Sequence, residues 1–374
     1  MDFRLNDDQR MLGETLARFL SDNYPLDKRH EFARSDEGFS RQIWSQFAEL
    51  GVIGALFGEA DGGYGGTGVD LMVVFEALGR TLVVEPFLPT LLAGSLLAEM
   101  AGAEHQGLLG DVIEGKSLLA LAHGEMAARY DLDHVAVTAS QANGKWQVTG
   151  QKSVVLGGGS ADRVLVSART SGSPGSQDGI SLFLVDPAAT GVTRRAYGTV
   201  DGYPAAEISF EVAPAKLVGN PGKAYAAIEK AHARAIVAIC SECLGAMEVA
   251  KDLTIEYMHT RKQFGVIIGK FQALQHRMAD VLIEIEQLRS AIINAAGHLE
   301  SDRRIREWHV SAAKNLAGRA GRQTAEEAIQ IHGGMGMTWE YPVGHFAKRI
   351  TMIDHMFGDT DHHLERFIDM GEQA

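Results

Sequence analysis

The chain is poor in cysteine: Cys240 and Cys243 are the two it has among 374 residues. Two cysteines cannot staple a small fold. They sit as a formal Cys-x-x-Cys with no second pair and no βαβ pattern around it, so a zinc or redox centre is not expected there and two small buried residues are. Basic charge is also scarce, with 35 Lys and Arg against 48 Asp and Glu and a net charge of -13. That balance argues against nucleic acid or an anionic membrane surface as the main partner. An anionic small ligand would need a locally basic mouth. No window approaches about 18 uninterrupted apolar residues, so no membrane-spanning helix is expected. The start of the chain carries Asp7, Asp8 and Glu14 in place of a basic segment and an apolar run. A secretory signal is therefore not expected, and the cytoplasm is the expected compartment.

What is present is an ordinary globular balance, 45% hydrophobic and 22% charged, in a chain long enough for two or three domains with their own cores. Composition changes twice. Residues 1–117 read as helices, with Met11, Leu12, Leu16, Phe19 and Leu20, then Ile43, Trp44, Phe47 and Leu50, at helical spacing. A loop, Asp61-Gly62-Gly63-Tyr64-Gly65-Gly66, interrupts them without the strand and spacing of a dinucleotide loop. Residues 118–218 break into short β-branched runs at 134–138, 146–148, 163–166, 180–185 and 208–210, separated by turn residues such as Asn143-Gly144. This spacing suggests an antiparallel sandwich or barrel. Residues 219–374 hold no proline between Pro221 and Pro342, and Leu274, Met278, Val281, Ile285, Leu288, Ile292, Ala295 and Leu299 form a seam in three- and four-residue steps. Long bundle helices bury such a seam against each other. The expected fold is α+β in three parts: an N-terminal helical domain, a central antiparallel β-domain and a C-terminal four-helix bundle.

Three short motifs bear chemistry. Arg261-Lys262-Gln263-Phe264-Gly265 offers a guanidinium fork suited to a diphosphate, a ring that can stack, and a glycine that lets backbone come close. Phe271-Gln272 opens the next helix, where an amide can meet a polyol or phosphate. Gln330-Ile331-His332-Gly333-Gly334-Met335-Gly336 closes an Ala-rich helix with paired glycines whose amides can wrap an anion. Taken singly, each has a plainer explanation: a helix C-terminus with its Arg and Gly, a polar first turn, a glycine cap.

In their order and spacing the three are far more specific, and over essentially its whole length the chain resembles the acyl-CoA dehydrogenases. That family has an Arg-x-x-Phe-Gly motif, a Phe-Gln helix start and a Gln-x-x-Gly-Gly-x-Gly motif, and this sequence matches all three. The resemblance extends to 59–66, to Gly150-Gln151-Lys152 and to Ala161-Asp162. It implies FAD lying between the β-domain and the bundle. It also implies that Arg261, Gln263, Phe264, Phe271, Gln272, Gln330, Gly333, Gly334 and Thr360 bind that cofactor, with Arg261, Gln263, Gln330 and Gly334 reaching the FAD of a neighbouring subunit. A shared cofactor implies a homo- or hetero-oligomer, a dimer or tetramer. The implied partners are an acyl-CoA substrate and an electron-transferring flavoprotein or similar acceptor, and the implied reaction forms the 2,3-enoyl thioester.

The sequence departs from the family at the base. Most members carry a Glu in a Tyr-Glu-Gly-Thr segment; here Phe357-Gly358-Asp359-Thr360 stands there, with Gly358 on the Glu position and Asp359 beside it. The alternative family position, around Ala233-Arg234-Ala235-Ile236, has no acid either. Three readings stay open: Asp359 as base, a partner chain that supplies a complete site, or a substrate needing a different base. In the second respect the chain is similar to the small, base-lacking chains of bacterial heteromeric acyl-CoA dehydrogenases of a pimeloyl-CoA type, whose partner is a large subunit, particularly at its His362-His363-Leu364 end. A non-catalytic FAD-holding chain, or an oxidase or monooxygenase on the same fold, are the alternatives. The family's Thr, Trp and Ser flavin contacts are also absent, since Ala122-His123-Gly124-Glu125-Met126 and Val154-Val155-Leu156 stand in their places, which leaves backbone groups to serve. Arg234 is the expected CoA contact, and Arg194-Arg195 reads as a solvated surface pair. The tail, with His355, Asp359, Asp361, His362, His363 and Glu365, is dense in metal-capable groups, yet has no Glu-x-x-His pairs on facing helices, so no metal is expected; a polar loop at the active-site mouth is.

Overall fold

The computed structural model describes residues 5–100 and 105–372. The first part of the chain forms α1 (Asp7–Asn23), α2 (Leu26–Ala33), α3 (Arg41–Glu49), α4 (Gly68–Thr81), α5 (Phe87–Met100) and α6 (Gln106–Ile113). Strands β1 (Leu119–Ala122), β2 (Thr138–Ala142), β3 (Lys145–Leu156), β4 (Arg163–Arg169), β5 (Ile180–Val185), β6 (Val192–Gly198) and β7 (Pro204–Val218) follow. The last part holds α7 (Tyr225–Thr260), a hairpin of β8 (Lys262–Gln263) and β9 (Val266–Ile267), then α8 (Gln272–Gly297), α9 (Arg303–His332), α10 (Val343–Asp354) and α11 (Thr360–Glu372). No helix of the described residues is long and apolar enough to cross a membrane. Contacts divide the chain into two compact units, one of Met1–Arg29, Thr67–Val83 and Ile236–Ala374, the other of His30–Gly66 and Val84–Ala235.

The second unit is organised by its sheet. Strands β2, β3, β7, β5 and β4 pair in that circular order, and β4 returns to β2 through Thr138 and Arg169, so the ring closes. Val148, Val164, Val166, Phe183, Val185, Ile208 and Phe210 fill it. The sheet is mixed, which corrects the antiparallel expectation: β1 and β2 both run parallel to β4. The β2–β3 hairpin, turned at Asn143 (φ 52°) and Gly144 (φ 75°), lies between β1 and β4 in sequence, giving a connection long enough for a parallel crossover. Two other expectations shift. In the 134–138 run Thr138 alone belongs to β2, although Val135 and Val137 are buried ahead of it. Strand β6 was not legible, because Thr193-Arg194-Arg195-Ala196 is exposed and shows no apolar alternation.

The first unit is helical. The seam on α8 is buried from Met278 to Ala295 and α8 packs on α9, which also carries α10 and α11. Helices α4 and α7 touch backbone to backbone: a Cβ on Gly79 would lie 2.0 Å from the Glu242 carbonyl oxygen, and one on Gly245 2.1 Å from that of Glu76. Glycine is required at both crossings. Beside them Arg349 of α10 meets Glu242 of α7 in a buried bidentate pair, Nε–Oε1 and Nη2–Oε2 both 2.7 Å. The two cysteines are buried in α7, where burial pushes the Cys240 thiol up to about 12. They are inert packing groups.

Candidate functional site

Two separate groups of expected site residues emerge in the helical unit. The first is at one end of the bundle. There α7 stops at Thr260, the backbone N–H of Arg261 closes its last turn on Tyr257, and the chain enters the β8–β9 hairpin. Its turn residues are Phe264 (φ 51°) and Gly265 (φ 81°), the left-handed pair of a two-residue hairpin turn. Gly265 therefore turns a hairpin and does not cap α7. Phe264 is 92% exposed and sits 6.3 Å from the Phe271 ring, a large apolar side chain held out to solvent in a conformation that favours glycine or asparagine. Phe271 and Gln272 begin α8. The end of α9 comes to the same place, since the His332 ring lies 4.5 Å from that of Tyr257 and Arg277 of α8 pairs with Glu327 of α9. Beyond His332 the turn at Gly333 (φ 58°) and Gly334 leaves open space where any Cβ would stand. Arg261, Gln263, Phe264, Phe271, Gln272, Gln330, Gly333 and Gly334 are all exposed. An exposed guanidinium fork, two side-chain amides and an open glycine turn on one face suit a phosphate-bearing, polyol-bearing group.

The second group is the turn between α10 and α11, and Thr360 belongs here rather than with the other eight. It lies beside Gly318, roughly 20 Å along α9 from the glycine turn. Ser311, Lys314, Asn315 and Gly318 recur on one face of α9 and hold the turn. Lys314 Nζ donates to the Asp354 carbonyl at 2.9 Å and the Gly358 carbonyl at 2.6 Å, and Asn315 Nδ2 donates to that of Thr360 at 2.9 Å. Thr360 Oγ1 donates to Asp354 Oδ1 at 2.9 Å. The buried His363 ring reaches Ser311 Oγ through Nδ1 at 3.3 Å and the Phe357 carbonyl through Nε2 at 2.9 Å. A carbonyl only accepts, so Nε2 carries the proton. Burial, then the Lys314 charge, lowers its pKa to about 3, and the ring is neutral. Burial likewise lowers the Lys314 ammonium from its ordinary value.

Asp359 and Arg234 have structural work. Asp359 Oδ1 accepts the His362 backbone N–H at 2.9 Å, capping α11. In the second unit, Arg234 donates to the carbonyls of Gly66 (2.9 Å) and Leu56 (3.1 Å) and to Ser95 Oγ (3.3 Å). Its fork braces the glycine-rich loop. Arg194 is exposed, as expected, and its Nη1 also reaches the carbonyls of Gly158, Gly159 and Ala161 at 3.0–3.3 Å.

The β-unit also holds a network that the sequence reading missed. Lys152, fully buried on β3, donates to the His123 carbonyl (2.9 Å), Glu125 Oε1 (2.7 Å) and Ser167 Oγ (2.9 Å). Burial lowers its pKa to about 8 against the opposing pull of Glu125. Glu125 in turn accepts the N–H groups of Ala136 (2.8 Å) and Val137 (3.1 Å). The available signal was a lysine set in a strand of a closed barrel. Nearby, exposed Val154 (φ 51°) stands where β3 bulges against β7, and its N–H donates to Glu207, which also takes the Tyr197 hydroxyl at 2.9 Å. Among the described residues no group of three or more His, Cys, Asp or Glu is set to hold a metal.

Family models for the N-terminal, middle and C-terminal domains of acyl-CoA dehydrogenase match residues 6–107, 120–213 and 223–369. The chain belongs to the acyl-CoA dehydrogenase family. It is 30% identical to acyl-CoA dehydrogenase IpdE2 of Mycobacterium tuberculosis, over 92% of this chain and 91% of that protein. Among solved structures it is similar to the Tcur3481-Tcur3483 steroid dehydrogenase variant (TM-score 0.88, 28% identity, 98% of each chain). It is also similar to the ChsE4-ChsE5 complex of Mycobacterium tuberculosis (TM-score 0.89, 26% identity, 100% of each chain). As a member of this family the chain is an oxidoreductase. The α10–α11 turn is crowded at Gly358. Gly358 has φ 110°, and a Cβ there would meet His362 Cδ2 at 2.6 Å and His363 Nε2 at 2.6 Å. Two imidazole edges occupy the space into which a side chain at 358 would grow.

Proposed function

We propose that this chain is one protomer of an oligomeric, FAD-dependent acyl-CoA dehydrogenase that forms a 2,3-enoyl thioester, assembled with a second, larger chain of the same fold. Electrons would leave to an electron-transferring flavoprotein or similar acceptor. The observation that carries the reading is the gathering of eight exposed, phosphate- and polyol-suited residues at one end of the bundle, roughly 20 Å along α9 from the α10–α11 turn. A residue set that faces outward serves a group held mainly by another protomer. A two-chain assembly is favoured by Gly358, which brings no carboxylate, and by the two-chain titles of the similar structures.

FAD, when bound, supplies the oxidant that takes the C3 hydrogen of the thioester as hydride. The residues of this chain do the rest. Arg261 would meet a diphosphate with its planar fork, and the Gly333-Gly334 turn would offer backbone amides without steric cost. Gln263, Gln272 and Gln330 would hydrogen-bond polar edges, and Phe264 would cover an apolar one. Lys314 and Asn315 keep the 354–360 turn rigid through its carbonyls, which fixes the groups that border the acyl chain.

The test is to purify the chain alone and co-expressed with a large dehydrogenase subunit. Flavin content is read by absorbance, and the protein is titrated anaerobically with acyl-CoAs of varied length and end-group. Bleaching of bound flavin by an acyl-CoA in the two-chain preparation, with Arg261→Ala lowering flavin content, is the expected result. Colourless protein in both preparations overturns the function. Full activity of the isolated Asp359→Asn chain overturns the need for a partner.

A further inference from the structure

The two halves of the exposed end of the bundle lie far apart in sequence. Arg261 follows α7, and the Gly333-Gly334 turn follows α9. His332 lies between them. Its side chain is buried, with the ring 4.5 Å from that of Tyr257 and 4.8 Å from that of Tyr341. Aromatic pairs at such separations attract beyond the area they bury. The Tyr257 carbonyl accepts the Arg261 N–H at 2.8 Å, so His332 packs on the residue from which the Arg261 hairpin departs. On its other side, Nδ1 lies 2.7 Å from the Ala328 carbonyl and Nε2 lies 3.1 Å from the Tyr341 hydroxyl. A carbonyl only accepts, so Nδ1 carries the proton. Burial lowers the pKa of the ring against the pull of the Ala328 and Leu253 carbonyls. The neutral ring then accepts from the Tyr341 hydroxyl at Nε2.

Tyr341 closes the segment that carries the glycine turn. Between Gly333 and Tyr341 the large apolar side chains of Met335, Met337 and Trp339 are exposed. The segment is held where it folds back over His332. A Cβ on Gly336 would stand 3.1 Å from that of His332, and the Tyr341 hydroxyl ties the far end of the segment to the same ring.

We propose that His332, with Tyr341, is the positioning residue that keeps the Arg261 hairpin and the Gly333-Gly334 turn in register for one phosphate-bearing cofactor. The inference rests on the dehydrogenase reading above. A guanidinium fork and an amide turn grip one diphosphate together when their spacing is fixed before it arrives. Buried hydrogen bonds and ring packing behind the contacting groups fix such a spacing. His332 supplies both, between two helices whose ends carry the contacting groups.

The test is a double-mutant cycle on FAD affinity. The flavin-free two-chain assembly is titrated with FAD, and flavin fluorescence is followed. Tyr341→Phe removes only the hydroxyl, and His332→Phe keeps a ring while removing both hydrogen bonds. Tyr341→Phe should weaken FAD binding about fivefold and His332→Phe about tenfold, and the Tyr341→Phe protein should keep its melting temperature. In an Arg261→Ala background the same substitutions should cost clearly less, because half of the grip is gone and there is no spacing left to lose. A general loss of folding would lower affinity by the same factor in both backgrounds. Hydrogen exchange of the flavin-free assembly gives a second reading: Tyr341→Phe should speed exchange across 333–341 and 261–265 together. Equal losses with and without Arg261, or wild-type affinity in both variants, overturn the assignment. Should His332→Phe fail to fold, the Tyr341→Phe cycle decides alone. A wild-type assembly that never takes up flavin is a different outcome: it removes the dehydrogenase reading itself.

Discussion

Lys314 and Gly358 meet through a 2.6 Å hydrogen bond from a buried ammonium to a backbone carbonyl. The same ammonium holds the Asp354 carbonyl at 2.9 Å. One side chain on α9 thus fixes both ends of the α10–α11 turn.

Replacing Lys314 by Met keeps the apolar stem and removes the donors. Two buried carbonyls then lose their partner, so stability should fall by about 1–3 kcal/mol. Thermal melts of the apoprotein check this. Flavin bleaching by acyl-CoA should fall further than the melt predicts, because in the proposed function the turn also borders the acyl chain.

The Arg349–Glu242 pair should show the asymmetry of a buried ion pair. Glu242→Gln or Arg349→Met alone leaves a buried charge with its partner gone and should cost about 3–5 kcal/mol, whereas Glu242→Gln with Arg349→Met should cost clearly less than the sum. Urea denaturation of the four proteins closes the cycle. An additive double variant would show that the two groups do not depend on each other.

Phe264 should oppose stability to function. Its left-handed backbone costs roughly 1 kcal/mol relative to a residue that accepts it, and 92% exposure gives little in return within one chain. Phe264→Asn creates the preferred Asn-Gly turn. The flavin-free chain should melt at an equal or higher temperature, and flavin retention in the assembly should drop. Retention at the wild-type level would remove Phe264 from the cofactor residues.

Acid should destabilise the fold through its buried histidines. His363 has a folded pKa of about 3, below the unfolded value of about 6.5. Its contribution is full above about 6.5, where both states are neutral. As pH falls below that the unfolded state takes up a proton and the folded state does not, so stability is lost at about 1.4 kcal/mol per pH unit toward pH 3. His123, lowered by burial and by the neighbouring His232, adds in the same direction. Urea midpoints at pH 7.5 and pH 5.5 read the effect, and His363→Gln should flatten it.

Much of this protein is legible because the governing physics is local in sequence. The seam from Met278 to Ala295 specifies a buried helix face by its spacing alone, and the Asn143-Gly144 pair specifies a hairpin by its φ preferences. The three ordered motifs marked the bundle residues that the fold gathers at one end. Strand β6 was not legible, because it is held by backbone pairing to β7 and not by an apolar face.

The roles of individual charged groups depend on residues distant in sequence. Arg234 braces carbonyls more than 160 residues away, Lys152 finds Glu125 and Ser167 inside a closed barrel, and Gly358 is filled by rings whose approach requires α9 beneath them. Sequence by itself determined the order of helices, then strands, then bundle, and the family, since periodicity and motif spacing are properties of short segments. Tertiary structure alone decided which donors hold which distant carbonyls, because hydrogen-bond satisfaction is settled only when the burying surfaces meet.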